Sequence, residues 1–345
     1  MNHVIGVVNL RFFGLYTDPA KLAGSEDVKF IRVSIARDAP DDEIREKLGE
    51  VDVVIAAATL IYNKRVFRLL PRLKAVVRWG VGYDNLVLED ATEEGVIASR
   101  LPSIVLKDSV AQMAVALLLT ALRKVHKADE YVRRGGWASR DIEGLKALVS
   151  PSIEDLAIGI IGLGNIGFRV FELLKPFKPK KIFVYDPYIP PSLIRSVGGE
   201  PVSSLDELLK FSDVITIHAP LTEETRHMIG RREFSKMKRG VYLINTARGA
   251  IVDTDALVWA LKEGIVEFAA LDVFDPEPIP PDHPILQFDN VILTPHIASG
   301  TTKSFSLMDE YSIAEAMRIL KGEKPLWILN PEVLKSPKLR AKIRT

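Results

Sequence analysis

Short apolar runs alternate with charged stretches along most of the chain, and this alternation limits the fold more than any other feature of the sequence. Near the start, the runs VIGVV, VKFIRVSI, VDVVIAA and LKAVVRW are separated by stretches such as APDDEIREKLGE, which has helical spacing. Apolar runs of strand length that alternate with helical segments predict βαβ units, which form a parallel sheet covered by helices. We therefore predict an α/β fold.

A second series of the same kind begins at Ala157. We expect its strands at 158–161, 181–185, 214–217, 241–245, 268–272 and 291–294, and its helices at about 165–175, 203–210, 231–237 and 253–263. A length of 345 residues is enough for two compact domains. The two series together predict two doubly wound parallel-sheet domains.

Two longer helices complete the prediction. Residues 109–131 are expected to form one long, mostly apolar helix that is buried between domains or subunits. A last amphipathic helix is expected at about 302–320, ending before Gly322. The longest apolar stretch, 110–122, is too short to cross a bilayer.

Composition excludes several classes of function. The 46 basic residues nearly balance the 45 acidic residues, so no strong field attracts nucleic acid or an anionic membrane, and we expect a small-molecule partner. The chain has no cysteine, which excludes disulfides, thiolate nucleophiles and cysteine-bound zinc; we expect no metal. The N-terminal residues lack the pattern of a signal peptide, so we expect a cytoplasmic protein.

A glycine-rich loop, IGIIGLGNIG, stands where an apolar strand meets a helix. Its first glycine permits a tight turn, its second lets the backbone approach a pyrophosphate, and its third allows close packing of helix on strand. The helix N-terminus adds amide donors and the positive end of its dipole. The predicted cofactor-binding residues of this loop are Gly162, Gly164, Asn165, Ile166 and Gly167.

Asp186 ends the next predicted strand, 24 residues after Gly162. A carboxylate in that place accepts hydrogen bonds from a ribose hydroxyl and repels a 2′-phosphate, so we predict NAD as the cofactor rather than NADP. The glycine motif alone could be a turn without a ligand. The strand, the helix and Asp186 in the expected order favour a dinucleotide site.

Polar segments directly follow three predicted strands of the second series: NTARGAIVD at 245–253, LDVFDPEP at 271–278 and TPHIASG at 294–300. Open α/β sheets bind ligands at this edge. Reduction of a 2-oxo acid needs a cation for the carboxylate and carbonyl, a proton donor for the nascent alkoxide, and a partner for that donor. Arg248, His296 and Glu277 provide these three groups.

With these motifs in this order, the chain resembles the D-isomer-specific 2-hydroxyacid dehydrogenases. HAPLT at 218–222 also matches the family, and RWGVGYDN at 78–85 is similar to its substrate loop, so that the resemblance covers roughly residues 45–331. It implies an NAD-dependent enzyme that transfers a hydride between the cofactor and C2 of a small 2-hydroxy or 2-oxo acid.

The resemblance also implies a role for individual residues. Arg248 would orient the substrate, His296 would be the general acid or base, and Glu277 would pair with His296. The backbone amides of Val81 and Gly82 would hold the substrate carboxylate. Arg78 is left open between a contact with an acidic substrate and a pair with a local carboxylate. Asp272 would hold the nicotinamide amide, and the other residues expected at the cofactor are His218, Pro220, Thr225, Thr246, Ala247 and Ala298.

The architecture of the family implies how the domains are arranged. A Rossmann NAD-binding domain at 106–300 would be inserted into a flavodoxin-like substrate domain formed by 1–105 and 301–345. The resemblance further implies a homodimer built on the cofactor domains, with the segment at about 109–150 crossing to the partner.

The predicted substrate depends on whether the chain has a cation that could bind a phosphate group. Relatives that act on 3-phosphoglycerate tend to carry a phosphate-reading arginine in the segment that corresponds to 56–59, where this chain has AAAT. A phosphate removed from water needs charge-assisted donors, so we predict a preference for glyoxylate, hydroxypyruvate or a short aliphatic 2-oxo acid. D-3-phosphoglycerate dehydrogenase stays an alternative, because Arg78, Lys64 or Arg65 could supply the missing charge.

Two further alternatives remain. Some relatives with an intact catalytic trio act as non-catalytic, NAD(H)-sensing corepressors, and turnover of NADH with a 2-oxo acid would separate that function from an enzyme. Formate dehydrogenases are disfavoured, because they carry glutamine where this chain has Glu277.

Overall fold

The computed structural model describes residues 3–344 and divides into two compact units. The first unit runs to Leu106 and resumes at Gly300, and the second unit is Lys107–Ser299. Secondary-structure elements are numbered along the chain. Among the described residues, no helix combines the length and the apolar composition that a membrane span requires.

A five-stranded parallel sheet forms the centre of the first unit, in the order β2-β1-β3-β4-β5. Its strands are β1 His3–Val8, β2 Val28–Val33, β3 Val53–Ala56, β4 Ala75–Arg78 and β5 Ile97–Ser99. Its helices are α1 Pro19–Ala23, α2 Asp41–Leu48, α3 Lys64–Leu69, α4 Leu88–Glu93 and, after the second unit, α13 Thr302–Leu320. The direction of the strand order reverses between β1 and β3, and ligands of such sheets bind at the carboxyl ends of the strands beside such a reversal.

A seven-stranded parallel sheet forms the centre of the second unit, in the order β12-β11-β10-β9-β6-β7-β8. Its strands are β6 Ala157–Ile161, β7 Lys181–Tyr185, β8 Glu200–Pro201, β9 Val214–Ile217, β10 Val241–Asn245, β11 Val266–Leu271 and β12 Val291–Leu293. Its helices are α5 Lys107–Leu122, α6 Val125–Arg133, α7 Ile142–Ala147, α8 Asn165–Leu174, α9 Pro191–Ser196, α10 Leu205–Phe211, α11 Arg231–Phe234 and α12 Thr254–Lys262. The order reverses between β6 and β9.

Both sheets are parallel throughout, and this confirms the predicted fold class of two doubly wound α/β domains. Parallel strands are covered on both faces, so their sequences are continuously apolar instead of alternating. Along β10, Leu243 belongs to one apolar cluster and its neighbour Ile244 belongs to the cluster on the other face. The central strands were predictable for this reason.

The prediction of one long helix over 109–131 is wrong. The chain forms α5 and α6 instead, with a break at Lys124, whose φ of 50° is left-handed. The apolar run ends at Leu122, and the α6 helix has no buried residue, so burial does not hold the two segments in one straight helix. The ammonium of Lys124 turns aside and donates to the carbonyl of Ala147 at 3.0 Å.

Candidate active site

The glycine-rich loop connects β6 to α8, and two of its glycines are required by the fold. Gly162 has a φ of 86°, and a Cβ atom on Gly167 would lie 2.0 Å from the carbonyl oxygen of Gly162. Gly164 differs, because a Cβ atom there would meet nothing within 4 Å. It stands at the N-cap of α8, and no side chain caps this helix among the described residues. Open space therefore lies next to uncapped backbone, as expected where a pyrophosphate approaches.

Asp186 directly follows β7 and holds the start of this loop. One carboxylate oxygen accepts from the amide of Leu163 at 2.8 Å, and the other accepts from the amide of Tyr188 at 2.9 Å. An ionised carboxylate has about four acceptor positions, so these two bonds leave capacity for a hydroxyl donor. The structure thus places Asp186 beside the glycine loop, as the predicted ribose contact requires.

Two buried polar atoms lie after the neighbouring strands β9 and β10. Neither Nδ1 of His218 nor Oγ1 of Thr246 has a hydrogen-bond partner within residues 3–344. Burial lowers the pKa of His218 to about 3, so its ring is neutral, and its Nε2 is 2.9 Å from the hydroxyl of Thr216. Buried polar atoms are almost always paired in proteins. Two unpaired atoms at one sheet edge therefore fit a site for a polar ligand.

The other residues predicted at the cofactor lie along the same edge of the sheet. Thr225 donates to the carbonyl of Pro220 at 2.7 Å and so closes the turn after β9. The amide of Ala247 donates to the side chain of Asn245 at 3.0 Å, and the amide of Ala298 donates to Asp272 at 2.8 Å. The structure brings these positions to the ends of adjacent strands, and their contacts with a cofactor stay predictions.

Asp272 is fully buried and anchors the segment after β12. One carboxylate oxygen accepts from the hydroxyl of Thr294 at 2.5 Å and from the amide of Ile297 at 2.9 Å, and the other accepts from Ala298. The backbone carbonyl of Asp272 also accepts from the amide of His296 at 2.9 Å. Asp272 therefore sets the position of His296, a function that sequence reasoning missed.

His296 and Glu277 form the predicted pair. Nδ1 of His296 lies 2.5 Å from Oε1 of Glu277, and the two side chains are 41% and 37% exposed. Nε2 of His296 has no hydrogen-bond partner in the described part of the chain. The ring is thus held from one nitrogen, and the other nitrogen is available for proton transfer.

The surroundings of Glu277 lower the pKa of its carboxyl group. Burial is the largest influence and opposes ionisation, but the hydrogen bond and charge of His296, a hydrogen bond from the amide of Phe274 and the charge of Arg248 together outweigh it. Glu277 is therefore ionised at neutral pH. The carboxylate therefore presents a negative charge to Nδ1 of His296.

Arg248 is positioned by the turn that follows β10. The side-chain amide of Asn245 donates to the carbonyl of Arg248 at 2.8 Å, and the guanidinium of Arg248 donates to the carbonyl of Ala247 at 2.7 Å. At Gly249, a Cβ atom would lie 2.0 Å from the backbone of Phe274, so only glycine permits this approach to the segment that carries Glu277. Asn245 and Gly249 were not among the predicted site residues, although both belong to the NTARG motif.

The predicted substrate loop begins at the end of β4 in the first unit, and residues 80–82 are its central part. Its carbonyls accept from the amide of Leu101 at 3.0 Å, from a guanidinium nitrogen of Arg100 at 3.3 Å and from Nε of Arg78 at 3.0 Å. The amides of Val81 and Gly82 have no acceptor among residues 3–344. A loop with engaged carbonyls and unpaired amides is suited to binding an anion.

Arg78 binds the backbone of this loop through a hydrogen bond. It is 5% exposed, and besides its bond to Gly82 it donates to the carbonyl of Ala56. Arg100, which sequence reasoning missed, lies over the ring of Tyr83 with its guanidinium carbon 5.3 Å from the ring centroid. A contact between Arg78 and the substrate stays a prediction.

Comparison with known proteins gives consistent matches. The family model described as "D-isomer specific 2-hydroxyacid dehydrogenase, NAD binding domain" matches residues 115–298. Glyoxylate reductase of Thermofilum pendens is 39% identical, over 85% of this chain and 86% of its own length. D-3-phosphoglycerate dehydrogenase of Methanocaldococcus jannaschii is 36% identical, over 89% of this chain and 57% of its own length.

A solved structure is also similar to this chain in fold. The structure of D-lactate dehydrogenase from Aquifex aeolicus, complexed with NAD and lactic acid, has a TM-score of 0.78 at 30% identity and covers 96% of this chain and 98% of its own. These matches confirm the predicted family, NAD as the cofactor, and the prediction of an enzyme. The chain therefore belongs to the D-isomer specific 2-hydroxyacid dehydrogenase family and is an NAD-dependent enzyme that interconverts 2-oxo and 2-hydroxy acids.

Proposed function

We propose that this protein uses NADH to reduce a small, unphosphorylated 2-oxo acid, such as glyoxylate or hydroxypyruvate, to the 2-hydroxy acid, which is the D-isomer where C2 is a stereocentre. The observation that carries the proposal is the 2.5 Å contact between His296 and Glu277, at the sheet edge that also carries Arg248. The first unit would bind the substrate and the second unit would bind the cofactor.

Separate residues bind the substrate, polarise its carbonyl group and donate the proton. The unpaired amides of Val81 and Gly82 bind the substrate carboxylate. Arg248 polarises the carbonyl and offsets the negative charge that develops on its oxygen. Glu277 holds His296 through Nδ1, so that Nε2 donates a proton to the carbonyl oxygen.

When bound, NADH supplies the hydride for C2 of the substrate. His296 would supply the proton that completes the hydroxyl group as the carbon–oxygen double bond becomes a single bond. The residues present fit this cofactor: Gly164 leaves space at the helix N-terminus, Asp186 has acceptor capacity for the ribose, and His218 and Thr246 each have an unpaired buried atom.

Two kinds of relative bear on the substrate class. Glyoxylate reductase of Thermofilum pendens is 39% identical to this chain, and D-3-phosphoglycerate dehydrogenase of Methanocaldococcus jannaschii is 36% identical. Residues 57–59 include no cation for a phosphate, so D-3-phosphoglycerate dehydrogenase is the second candidate. The matches to dehydrogenases and reductases favour an enzyme over a corepressor-like binding protein.

We also propose a homodimer built on the second unit. Several large apolar side chains that are each more than half exposed lie between α6 and the residues after α7: Val125, Val132, Trp137, Ile142, Leu145 and Val149. Burial of these side chains on a second copy would remove apolar surface from water. Location in the cytoplasm and the absence of nucleic-acid partners stay predictions.

Transfer of deuterium tests the proposed reaction. The protein is incubated with hydroxypyruvate and NADH that carries deuterium at the transferred position of the nicotinamide ring. We expect D-glycerate with one deuterium at C2, detected by mass spectrometry after chiral separation. Formation of the L-isomer, oxidation of NADH without label in the product, or no turnover of hydroxypyruvate would contradict the proposal.

The pH profile of reduction tests the role of Glu277. In Glu277→Gln the ring of His296 loses its anionic neighbour and keeps a polar side chain of the same size beside Nδ1. We expect the falling limb of kcat/KM for reduction to move toward lower pH by about one pH unit. Asp275→Asn is the matched control, since this nearby carboxylate faces His227 at 3.6 Å. Equal profiles for the wild type and both variants would mean that Glu277 has only a structural role.

A further inference from the structure

A buried carboxylate on α13 has no part in the site described so far. Asp309 is 0% exposed. Its Oδ1 accepts from the indole nitrogen of Trp79 at 2.9 Å, and its Oδ2 accepts from the amide of Gly14 at 2.8 Å and from the hydroxyl of Thr17 at 2.7 Å. One side chain thus connects three segments that are distant in the sequence.

Two of these segments lie at the ligand-binding edge of the first sheet. Gly14 and Thr17 belong to the loop after β1, and Trp79 follows β4 and directly precedes Gly80 and Val81. The strands β1 and β4 flank β3, so both loops leave the same carboxyl edge, beside the point where the strand order reverses. The α13 helix packs against β3 and β4 and carries Asp309 to this edge.

The indole of Trp79 is held on two sides. Its ring packs against Phe305 of α13 with the ring centroids 5.3 Å apart, and its nitrogen is bound by Asp309. Phe12 stacks on Phe305 at 5.0 Å, and Arg32 donates to the carbonyls of the loop after β1. A side chain that is fixed by packing and by a charged hydrogen bond also fixes the backbone that follows it.

Burial of this carboxylate is unfavourable in itself. Desolvation raises the pKa of Asp309, and the hydrogen bonds from Thr17, Gly14 and Trp79 together with the charge of Arg32 offset it only in part. An apolar side chain of similar volume often stabilises a fold as well as a buried charge does, or better. Stability alone therefore gives little reason for a carboxylate at this position.

We propose that Asp309 is a positioning residue for the substrate loop: through the indole of Trp79 it fixes the backbone of 80–82, so that the amides of Val81 and Gly82 are directed at the substrate carboxylate. This inference rests on the proposed function, in which those two amides bind the substrate. Asp309 itself touches no reacting atom and acts through Trp79.

Trp79→Phe tests the inference, because it removes the indole donor and keeps an aromatic ring against Phe305. We expect KM for the 2-oxo acid to rise by about three- to tenfold, the effect of one lost hydrogen bond, while kcat and the Kd of NADH change by less than about twofold. Amide hydrogen exchange in 79–83 should become faster. Thr17→Val is the matched control, because it removes a bond of similar length to the other oxygen of Asp309 and should leave both readouts unchanged.

Asp309→Asn keeps an oxygen for Trp79 but turns an amide group toward the amide of Gly14. We expect a lower Tm, and a KM that is closer to the wild-type value than the KM of Trp79→Phe.

Unchanged KM and unchanged amide exchange in Trp79→Phe would overturn the inference, as would an equal change in Thr17→Val. Faster exchange with unchanged KM would exclude the loop from substrate binding and also overturn it. Failure of the wild type to reduce any 2-oxo acid would instead overturn the proposed function, and the exchange data would still report whether Asp309 orders the loop.

Discussion

Replacement of His296 by asparagine should lower kcat for 2-oxo acid reduction by about 10²–10⁴-fold, the range typical for the loss of a general acid. Asparagine keeps a polar group of similar size and tolerates the left-handed backbone at this position, where φ is 51°. It cannot donate a proton to the developing alkoxide. The Kd of NADH, measured by fluorescence titration, should change by less than about threefold, because Asp272 anchors the surrounding segment through backbone amides that the substitution leaves in place.

The chain offers a closely matched control for this substitution. His227 also has a φ of 51°, and its Nε2 faces the carboxylate of Asp275 at 3.6 Å. Its side chain is 49% exposed, compared with 41% for His296. His227→Asn therefore repeats the chemical change beside another carboxylate and should keep nearly full activity. Comparable losses in the two variants, or full activity in His296→Asn, would exclude His296 as the proton donor.

The sequence could place the three proposed catalytic groups near one another because each stands in a local motif. Arg248, Glu277 and His296 each follow an apolar strand, and parallel strands bring their carboxyl ends to one edge. The fold class was predictable for a related reason, since buried parallel strands are apolar without interruption. The break at Lys124 was not predictable from helical spacing alone, because both segments have helical sequences and only tertiary burial distinguishes them.

Supporting residues were harder to predict, since their partners are distant in the sequence. Asp272 was assigned to the nicotinamide from the resemblance, whereas its observed bonds are to residues 294–298. Asp309 lies on an amphipathic helix among other polar residues, where an aspartate ordinarily faces solvent. Its buried carboxylate accepts a hydrogen bond from a tryptophan 230 positions earlier in the chain. The spacing of apolar residues along a helix cannot predict a contact between residues so far apart in the sequence.

The substrate preference is the second large effect that we expect. Residues 57–59 follow β3 at the ligand-binding edge of the first unit and contribute three methyl groups and one hydroxyl, with no cation. A charge removed from water without a partner costs about 3–5 kcal/mol. We therefore expect kcat/KM for 3-phosphohydroxypyruvate to be at least about 10²-fold lower than for hydroxypyruvate.

The cations that could replace the missing arginine form hydrogen bonds or ion pairs with other groups of the protein. Arg78 donates to the carbonyls of Gly82 and Ala56. Lys64 pairs with Glu93 at 2.5 Å, and Arg65 pairs with Asp41 at 2.6 Å. Release of any of these groups toward a phosphate would break an existing hydrogen bond or ion pair, and we expect an unphosphorylated substrate for this reason.

The most direct test of the account is a comparison of kcat/KM for glyoxylate, hydroxypyruvate and 3-phosphohydroxypyruvate, each with NADH and with NADPH. The account predicts that an unphosphorylated acid with NADH gives the highest value, and that NADPH is used poorly because the carboxylate of Asp186 repels a 2′-phosphate. A clear lead for 3-phosphohydroxypyruvate, or equal efficiency with the two cofactors, would contradict it.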